Sequence, residues 1–126
     1  MNVAILTLTV VAAGALSACR FVTNGGAYPT ANDLAIGVTR TGAGGAGDLV
    51  PVDALGTSMV EAGGAIENGK PVTADAMGRV VEAGEGDLVY GRALQAAAGE
   101  AELIEVLLIP CNGVPIPVAV APGGGG

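Results

Sequence analysis

Residues 34–52 are echoed 54 positions later by residues 88–106, and the two stretches align without a gap. Each has a short apolar run ending in glycine (Leu-Ala-Ile-Gly and Leu-Val-Tyr-Gly) and then a run of small residues. In each, an acid then leads a second apolar run (Asp-Leu-Val-Pro-Val and Glu-Leu-Ile-Glu-Val). Short apolar runs bounded by turn residues are typical of β-strands. The chain therefore uses one β-unit twice.

The echo extends upstream with an offset of 50 positions. Ala15 and Leu16 correspond to Ala65 and Ile66, and residues 22–23 (Val-Thr) correspond to residues 72–73 (Val-Thr). A small insertion between the two blocks accounts for the change in offset. Two copies are too few for a solenoid, which needs about three or more stacked units. We therefore expect a single pseudo-symmetric domain.

The apolar residues of the chain are small. Hydrophobic residues make up 51% of the sequence but aromatic residues only 2%, and Trp is absent, so the core must be thin. The 22 glycines add conformational entropy to the unfolded chain, at a cost of about 0.5–1 kcal/mol each relative to Ala in regular structure. Burying further surface in an oligomer is the simplest way to offset that cost.

Strand-like runs and turn residues alternate along the chain, which predicts a mainly β fold. We expect a compact, small β-sandwich or barrel-like domain built from two pseudo-repeated units, with at most one or two short helices. Residues 67–70 (Glu-Asn-Gly-Lys) carry the strongest hairpin signal, and the Ala-rich residues 93–98 could form a short helix or a loop. The predicted strands are residues 3–11, 20–23, 34–39, 49–52, 57–61, 71–74, 79–83, 88–94 and 102–109.

The chain is predicted to contain one β-rich domain over residues 1–110, in which residues 2–10 form an N-terminal strand. Prolines 110, 115, 117 and 122 and a run of four glycines follow. Proline fixes φ and lacks an N–H group, so we expect residues 111–126 to be an extended Pro/Gly-rich tail.

Charge and residue types argue against several function classes. The net charge is −7, and the five basic residues are scattered singly, so we expect no nucleic-acid partner. The chain has no His and two Cys, too few residues for a zinc cluster. Ser17 and Ser58 lack a nearby base to activate them. We expect neither an enzyme nor a bound cofactor or metal ion.

Two local motifs offer alternatives. Residues 16–19 (Leu-Ser-Ala-Cys) after an apolar stretch have the shape of a lipoprotein cleavage box, so the chain could be a bacterial surface lipoprotein processed at Cys19, although residues 1–2 lack the usual positive charge. Residues 42–47 spell G-x-G-x-x-G, with Glu67 about twenty residues on. A dinucleotide site needs a helix after the glycines, whereas a strand-like run follows here.

Three pieces of sequence resemble a known family. They are Gly-Lys-Pro-Val-Thr at residues 69–73, Asp-Ala-Met-Gly-Arg-Val at 75–80, and the closing run from Gly91 through Ala-Leu-Gln-Ala-Ala-Ala-Gly to Glu-Val-Leu-Leu-Ile-Pro at 105–110. Together with the order of the surrounding residues, from about Ile5 to Pro110, they resemble the phage capsid cement, or head decoration, proteins. The resemblance covers most of the chain.

The resemblance implies a small β-rich protein that forms homotrimers on the outer surface of an expanded phage head. There it would bind the major capsid protein and stabilise the shell, without contacting nucleic acid or a membrane. It would be found on the virion, and in the host cytoplasm during assembly.

The resemblance also implies that the N-terminal segment adds a strand to a capsid loop, a role that falls here on residues 2–10. Whether this segment is such an arm or an ordinary internal strand is left open. The candidate capsid contacts are Asn2, Val3, Ala4, Ile5, Leu6, Thr7 and Leu8.

Small residues in two further stretches could let subunits approach closely. Ordinary tight β-packing would explain the same residues equally well. The candidate subunit contacts are Ala62, Gly63, Gly64, Ala96 and Ala97.

Overall fold

The computed structural model describes residues 3–30 and 33–109. These residues form eight β-strands and no helix. The predicted tail at residues 111–126 lies outside the described residues. The strands are β1 (Ala4–Val11), β2 (Phe21–Thr23), β3 (Ala35–Thr39), β4 (Leu49–Glu61), β5 (Pro71–Ala74), β6 (Val80–Glu82), β7 (Gly91–Ala93) and β8 (Leu103–Leu108).

The strands form one antiparallel sheet that nearly closes into a barrel. Its order is β2-β3-β4-β8-β7-β5-β6, and β1 pairs with β4 outside that path. The prediction of a mainly β, barrel-like domain is confirmed. The candidate helix at residues 93–98 is not formed, because Ala93 ends β7 and Ala97 forms a β-bridge with Ile66.

The sequence repeat is present in the strand register. Val10 pairs with Val50 between β1 and β4, and the residues 50 and 54 positions on, Val60 and Ile104, pair between β4 and β8. We call residues 4–55 unit 1 and residues 57–108 unit 2. The same correspondence relates Val22↔Gly37 to Val72↔Gly91, Val38↔Asp53 to Arg92↔Leu107, and Leu16↔Ala43 to Ile66↔Ala97.

Each unit has its own hydrophobic core. Seven buried residues form the core of unit 1: Val10, Ala12, Leu16, Val22, Ala43, Val50 and Val52. Their seven counterparts all lie in the core of unit 2: Val60, Ala62, Ile66, Val72, Ala97, Ile104 and Val106. Unit 1 also contributes Phe21, Ala35 and Val38 to the core of unit 2. Fully burying a Val or Ile side chain is worth about 1.5–3 kcal/mol, so these three residues join the two units by packing.

The strand β4 belongs to both units. Its first part pairs with β1 and β3, and its second part pairs with β8. The change of partner falls at Gly56, which has φ of +101° and where a Cβ would lie 2.3 Å from the carbonyl oxygen of Val3. The predicted strands at residues 49–52 and 57–61 are therefore one strand of 13 residues.

The hairpin predicted at residues 67–70 is wrong. A turn is present, since the Lys70 N–H donates to the Glu67 C=O and Gly69 has φ of +88°. The flanking strands do not pair, because β4 pairs with β8 and β5 pairs with β6 and β7. In each unit the first strand lies beside the fourth, as in a Greek key, and this turn belongs to the long connection from first to second strand.

The predicted hairpin of β5 and β6 is confirmed. Its turn is held by the Asp75 carboxylate, which accepts hydrogen bonds from the N–H groups of Met77 and Arg79 at 2.9 and 3.0 Å. The offset between units changes from 50 to 54 within this hairpin, because its turn is longer than the corresponding turn of unit 1, where the Thr23 N–H donates to the Ala27 C=O.

The repeat supports a prediction about backbone strain. Ala101 has φ of +70°, and its counterpart Gly47 has φ of +92°. Because the left-handed region suits glycine, we expect Ala101→Gly to raise the free energy of unfolding by about 0.5–1 kcal/mol and Gly47→Ala to lower it by about 1 kcal/mol. Urea denaturation followed by circular dichroism measures both.

Gly45 and Gly99 provide the matched control for those substitutions. They are equivalent to one another, have no positive φ, and would place a Cβ in open space. Changing either to Ala should leave the stability unchanged or slightly higher. A destabilised Ala101→Gly variant would contradict the strain argument.

Candidate functional site

The strand β1 is the first candidate surface, and most of its predicted contact residues are exposed. Asn2 lies outside the described residues. Val3, Leu6 and Thr7 are exposed and Ile5 is 73% exposed, whereas Ala4 and Leu8 are half-buried. In the part of the chain that the structure describes, β1 pairs with β4 alone. One edge of β1 therefore carries backbone groups that face away from the sheet.

The groups on that edge can be identified from the ladder. The Ala12 N–H donates to the Asp48 C=O, so even-numbered residues at this end of β1 face β4. By the alternation of antiparallel strands, the N–H and C=O groups of Thr7, Thr9 and Val11 face outward. At the same time Val10 is buried in the core of unit 1. The strand β1 is thus an integral strand of the domain and an edge strand as well.

The structure brings the predicted subunit contacts together at one end of unit 2. Ala62 and Ala97 are buried, and a Cβ on Gly63 would lie 2.5 Å from the Asp75 carboxylate. Packing within the unit therefore explains these three residues. Ala96 is exposed, and a Cβ on Gly64 would meet no atom within 4 Å. Only these last two residues present small groups to the outside.

An equivalent end exists on unit 1, which the sequence reasoning missed. Gly14 and Gly45 correspond to Gly64 and Gly99, and none of the four would place a Cβ within 4 Å of another atom. Each end is held by a carboxylate. Asp48 accepts from the N–H groups of residues 44 and 45, and Glu102 from those of residues 98 and 99. The repeat offsets in the sequence were the signal that could have revealed this end.

A buried polar cluster lies where the two units meet. The Asp53 side chain is only 1% exposed and forms an ion pair with Arg40 at 2.9 Å. It accepts hydrogen bonds from the hydroxyl groups of Thr7 and Ser58 at 3.2 and 3.0 Å. These partners come from β1, β4 and the end of β3, so the cluster connects the strands around Gly56. It satisfies a buried carboxylate and forms a structural joint.

Cys19 has no feature of a reactive or lipidated cysteine. Burial raises the pKa of its thiol, and the nearby Glu61 carboxylate adds to that rise. A thiol with a raised pKa is a poor nucleophile near neutral pH. Processing before Cys19 would also remove β1 and the core residues Val10, Ala12 and Leu16. The lipoprotein alternative is therefore not supported.

The structure does not support a dinucleotide site at residues 42–47. Residues 42–47 connect β3 to β4, so a strand follows the glycines where a helix would be needed.

Within residues 3–30 and 33–109, no group of three or more His, Cys, Asp or Glu residues could hold a metal ion. In those same ranges there is no helix long and apolar enough to cross a membrane.

A cleft of about 370 Å³ contains Asp75, Asp87 and Tyr90, but these groups stabilise the fold. Asp75 holds the β5–β6 turn, and Asp87 accepts from the Gly84 N–H at 2.8 Å. The Tyr90 hydroxyl donates to the Asp33 carbonyl oxygen at 2.6 Å, and burial raises its pKa. Each of these groups therefore has a hydrogen-bonding role within the fold.

Comparison with known proteins identifies the family. A family model described as phage cement protein matches residues 2–108. The chain belongs to the phage cement protein family. The fold also resembles the crystal structure of the N base of head fiber gp8.5 in bacteriophage phi29, with a TM-score of 0.68 and 23% sequence identity over 82% of this chain and 93% of that one. No curated protein matches the sequence.

Family membership gives this cement protein a structural role at the phage capsid, which it helps to stabilise. The resemblance noted in the sequence is confirmed. At this level of identity, the likeness to the head fiber base shows a shared fold.

The buried cluster supports a prediction about stability. Asp53→Asn keeps the size of the side chain but removes the charge facing Arg40, and it replaces one acceptor oxygen by a donor. We expect the free energy of unfolding to fall by about 1–3 kcal/mol. Chemical denaturation with intact secondary structure at zero denaturant is the measurement.

Asp48→Asn is the control, because Asp48 is an exposed carboxylate with hydrogen bonds of its own. This substitution should lower the free energy of unfolding by well under about 1 kcal/mol relative to the wild-type chain. Equal changes in the free energy of unfolding for the two substitutions would show that burial does not increase the contribution of Asp53 to stability.

Proposed function

We propose that this protein is a decoration protein that binds the outer surface of the expanded phage head as a homotrimer. Its partner there is the major capsid protein. The observation that carries the proposal is the family match over residues 2–108, combined with an edge strand, β1, that has exposed apolar side chains. An edge strand of this kind can extend its sheet with a strand from a partner.

The N-terminal segment is the proposed capsid contact. The contacts are Val3, Ala4, Ile5, Leu6, Thr7 and Leu8, together with Asn2. Ile5 and Leu6 supply exposed apolar area, and the outward backbone groups of Thr7 supply hydrogen bonds. Side chains of this type gain free energy when a partner removes them from water, by about 25 cal/mol per Å².

The proposed trimer uses small residues at the end of unit 2. Gly64 and Ala96 allow a neighbouring backbone to approach closely, and Ala62, Gly63 and Ala97 form the packed base beneath them. A trimer would also bury apolar surface that a thin core leaves outside.

Stabilisation of the shell follows from mass action. A protein that binds only the expanded shell stabilises that state by about 3–4 kcal/mol per site when its concentration is 100 to 1,000 times Kd. Many sites on one head add their contributions. Neither nucleic acid nor a membrane takes part, and the net charge of −7 agrees with this. The protein would reside on the virion, and in the host cytoplasm during assembly.

Three measurements test the proposal. Purified protein should co-sediment with expanded heads of its phage that lack it, and should not co-sediment with unexpanded heads. Electron microscopy of decorated heads should show protein on the outer surface, and sedimentation equilibrium of the free protein should give the mass of three chains. Equal binding to both head forms would contradict binding to the expanded state.

The N-terminal contact makes a specific prediction. Ile5→Asp places a charge on a side chain that is 73% exposed, so folding should be unaffected. Binding to expanded heads should weaken by about tenfold or more, as expected for an apolar anchor. Met77→Asp, at a 51% exposed position in the β5–β6 turn, is the matched control and should bind as wild type. Equal binding of the two variants would exclude Ile5 from the interface.

A further inference from the structure

Unit 2 contains a strand-binding site that unit 1 fills. The segment from Cys19 to Phe21 lies against the edge of β4, where the Glu61 N–H donates to the Cys19 C=O at 3.0 Å. The Phe21 N–H then donates to the Gly78 C=O at 2.8 Å. The Phe21 ring packs on Tyr90 with centroids 5.3 Å apart. An extended segment with one large apolar side chain thus occupies this site.

The repeat places an equivalent site on unit 1. The counterparts of Glu61, Gly78 and Tyr90 are Val11, Asn24 and Ile36. The offset of 54 for Asn24 holds locally, because the Ala13 N–H bonds to the Gly26 C=O as the Gly63 N–H bonds to the Val80 C=O. The N–H of Val11 faces away from β4, as that of Glu61 faces away from β8.

A cleft lies at that equivalent position. It has a volume of about 360 Å³ and is lined by Asn24, Leu34, Ala35 and Ile36, which we call the unit 1 cleft. Leu34 is 53% exposed and Val11 is 56% exposed. Among residues 3–30 and 33–109, no strand pairs with the outer edge of β1. Among the described residues, the site that Phe21 fills in unit 2 therefore has an apolar counterpart in unit 1 that no strand occupies.

A second copy of the chain fits this site poorly. The segment equivalent to Cys19–Phe21 is Gly69–Pro71, and Pro71 has no N–H to donate as Phe21 does. The Gly69 carbonyl oxygen already accepts a hydrogen bond from the Arg92 guanidinium at 2.6 Å. Lys70, the counterpart of Arg20, would face the apolar Val11, whereas Arg20 pairs with Glu61 at 3.1 Å.

These differences have a consequence for assembly. Head-to-tail stacking of copies through this site would not close on itself, and it would produce open filaments. Proline and lysine at an exposed strand segment are common means of preventing such stacking. A second copy of the chain is therefore a poor occupant of this site.

We propose that unit 1 binds an extended segment of the capsid shell in this site. The main chain of the segment pairs with the outer edge of β1 at Thr9 and Val11, and a large apolar side chain enters the unit 1 cleft against Leu34 and Ile36. Residues beside Val11 in the segment are uncharged, because the exposed Val11 side chain offers them an apolar surface. This inference rests on the proposed function and names the chemistry of its capsid partner.

The side-chain part of the site is tested by a matched pair of variants. Leu34→Glu puts a charge at the mouth of the cleft, and Leu103→Glu makes the same change at a position in unit 2 that is also 53% exposed. Co-sedimentation with expanded heads should show binding weakened by about tenfold or more for Leu34→Glu and unchanged for Leu103→Glu.

The main-chain part is tested by Thr9→Pro, which removes an outward N–H and no ladder hydrogen bond to β4. It should weaken head binding, whereas Thr9→Val, which keeps the N–H, should not. In the wild-type chain, amide hydrogen exchange at Thr9 and Val11 should slow when heads are added.

The outcomes separate this inference from the proposed function. If the wild-type chain binds heads and Leu34→Glu binds as tightly as Leu103→Glu, the cleft is excluded and the decoration role stands. If the wild-type chain does not bind heads, the decoration role and the cleft both fail. If Leu34→Glu instead dissociates an oligomer of the free protein, the occupant is a second copy and the proposed capsid segment is wrong.

Discussion

The fold depends on one strand that serves two units. The strand β4 closes unit 1 with its first part and begins unit 2 with its second, so neither unit can form its sheet without it. The exchange of partners requires the chain to turn sharply within the strand without ending it. Gly56 permits this turn, since a side chain there would collide with the carbonyl oxygen of Val3. The two units are therefore joined by a shared strand, and by the side chains of Phe21, Ala35 and Val38, which unit 1 places in the core of unit 2.

Equivalent positions in the two units have different environments. The face of unit 1 that contacts unit 2 corresponds to a face of unit 2 that is exposed. Asp53 is buried between the units, and its counterpart Leu107 is an exposed apolar residue. Arg20 is buried and bonded to Glu61 and to the Met77 carbonyl oxygen, whereas Lys70 is largely exposed. The repeat conserves backbone hydrogen bonds and core residues, and the side chains at the joint have diverged. Polar groups at the joint give the two units one fixed arrangement.

Much of the fold could be predicted from the sequence. The offsets of 54 and 50 identified strands that the structure pairs in matching register, and the apolar runs located most strand centres. What could not be predicted is which strands pair over long distances. The Asn-Gly turn at residues 68–69 is a sound local signal, yet in a Greek key it lies in a connection between strands that do not touch. Local turn chemistry gives the position of a reversal and not the partner of the strand that follows.

The candidate site shows the same limit. Exposure of Ile5 and Leu6 in β1 agrees with the N-terminal contact taken from the family resemblance. Asp53 could not be recognised, because a lone acid in a strand-like run is usually a solvated residue on a polar face. Its burial results from the approach of Ser58 across Gly56 and of Arg40 from the end of β3, which depends on the tertiary fold. The subunit contacts stay predictions. Three of these residues are closely packed within unit 2, and small residues serve both tight packing and close contacts between subunits.

Because the unit is duplicated, the strand-binding site occurs twice in the chain. Unit 2 receives Phe21 from unit 1, and unit 1 has the corresponding cleft without a donor among the described residues. In most repeat proteins such an open end is closed by a polar cap. Here Val11 and Leu34 keep it apolar, while Pro71 and the net charge of −7 oppose stacking between copies.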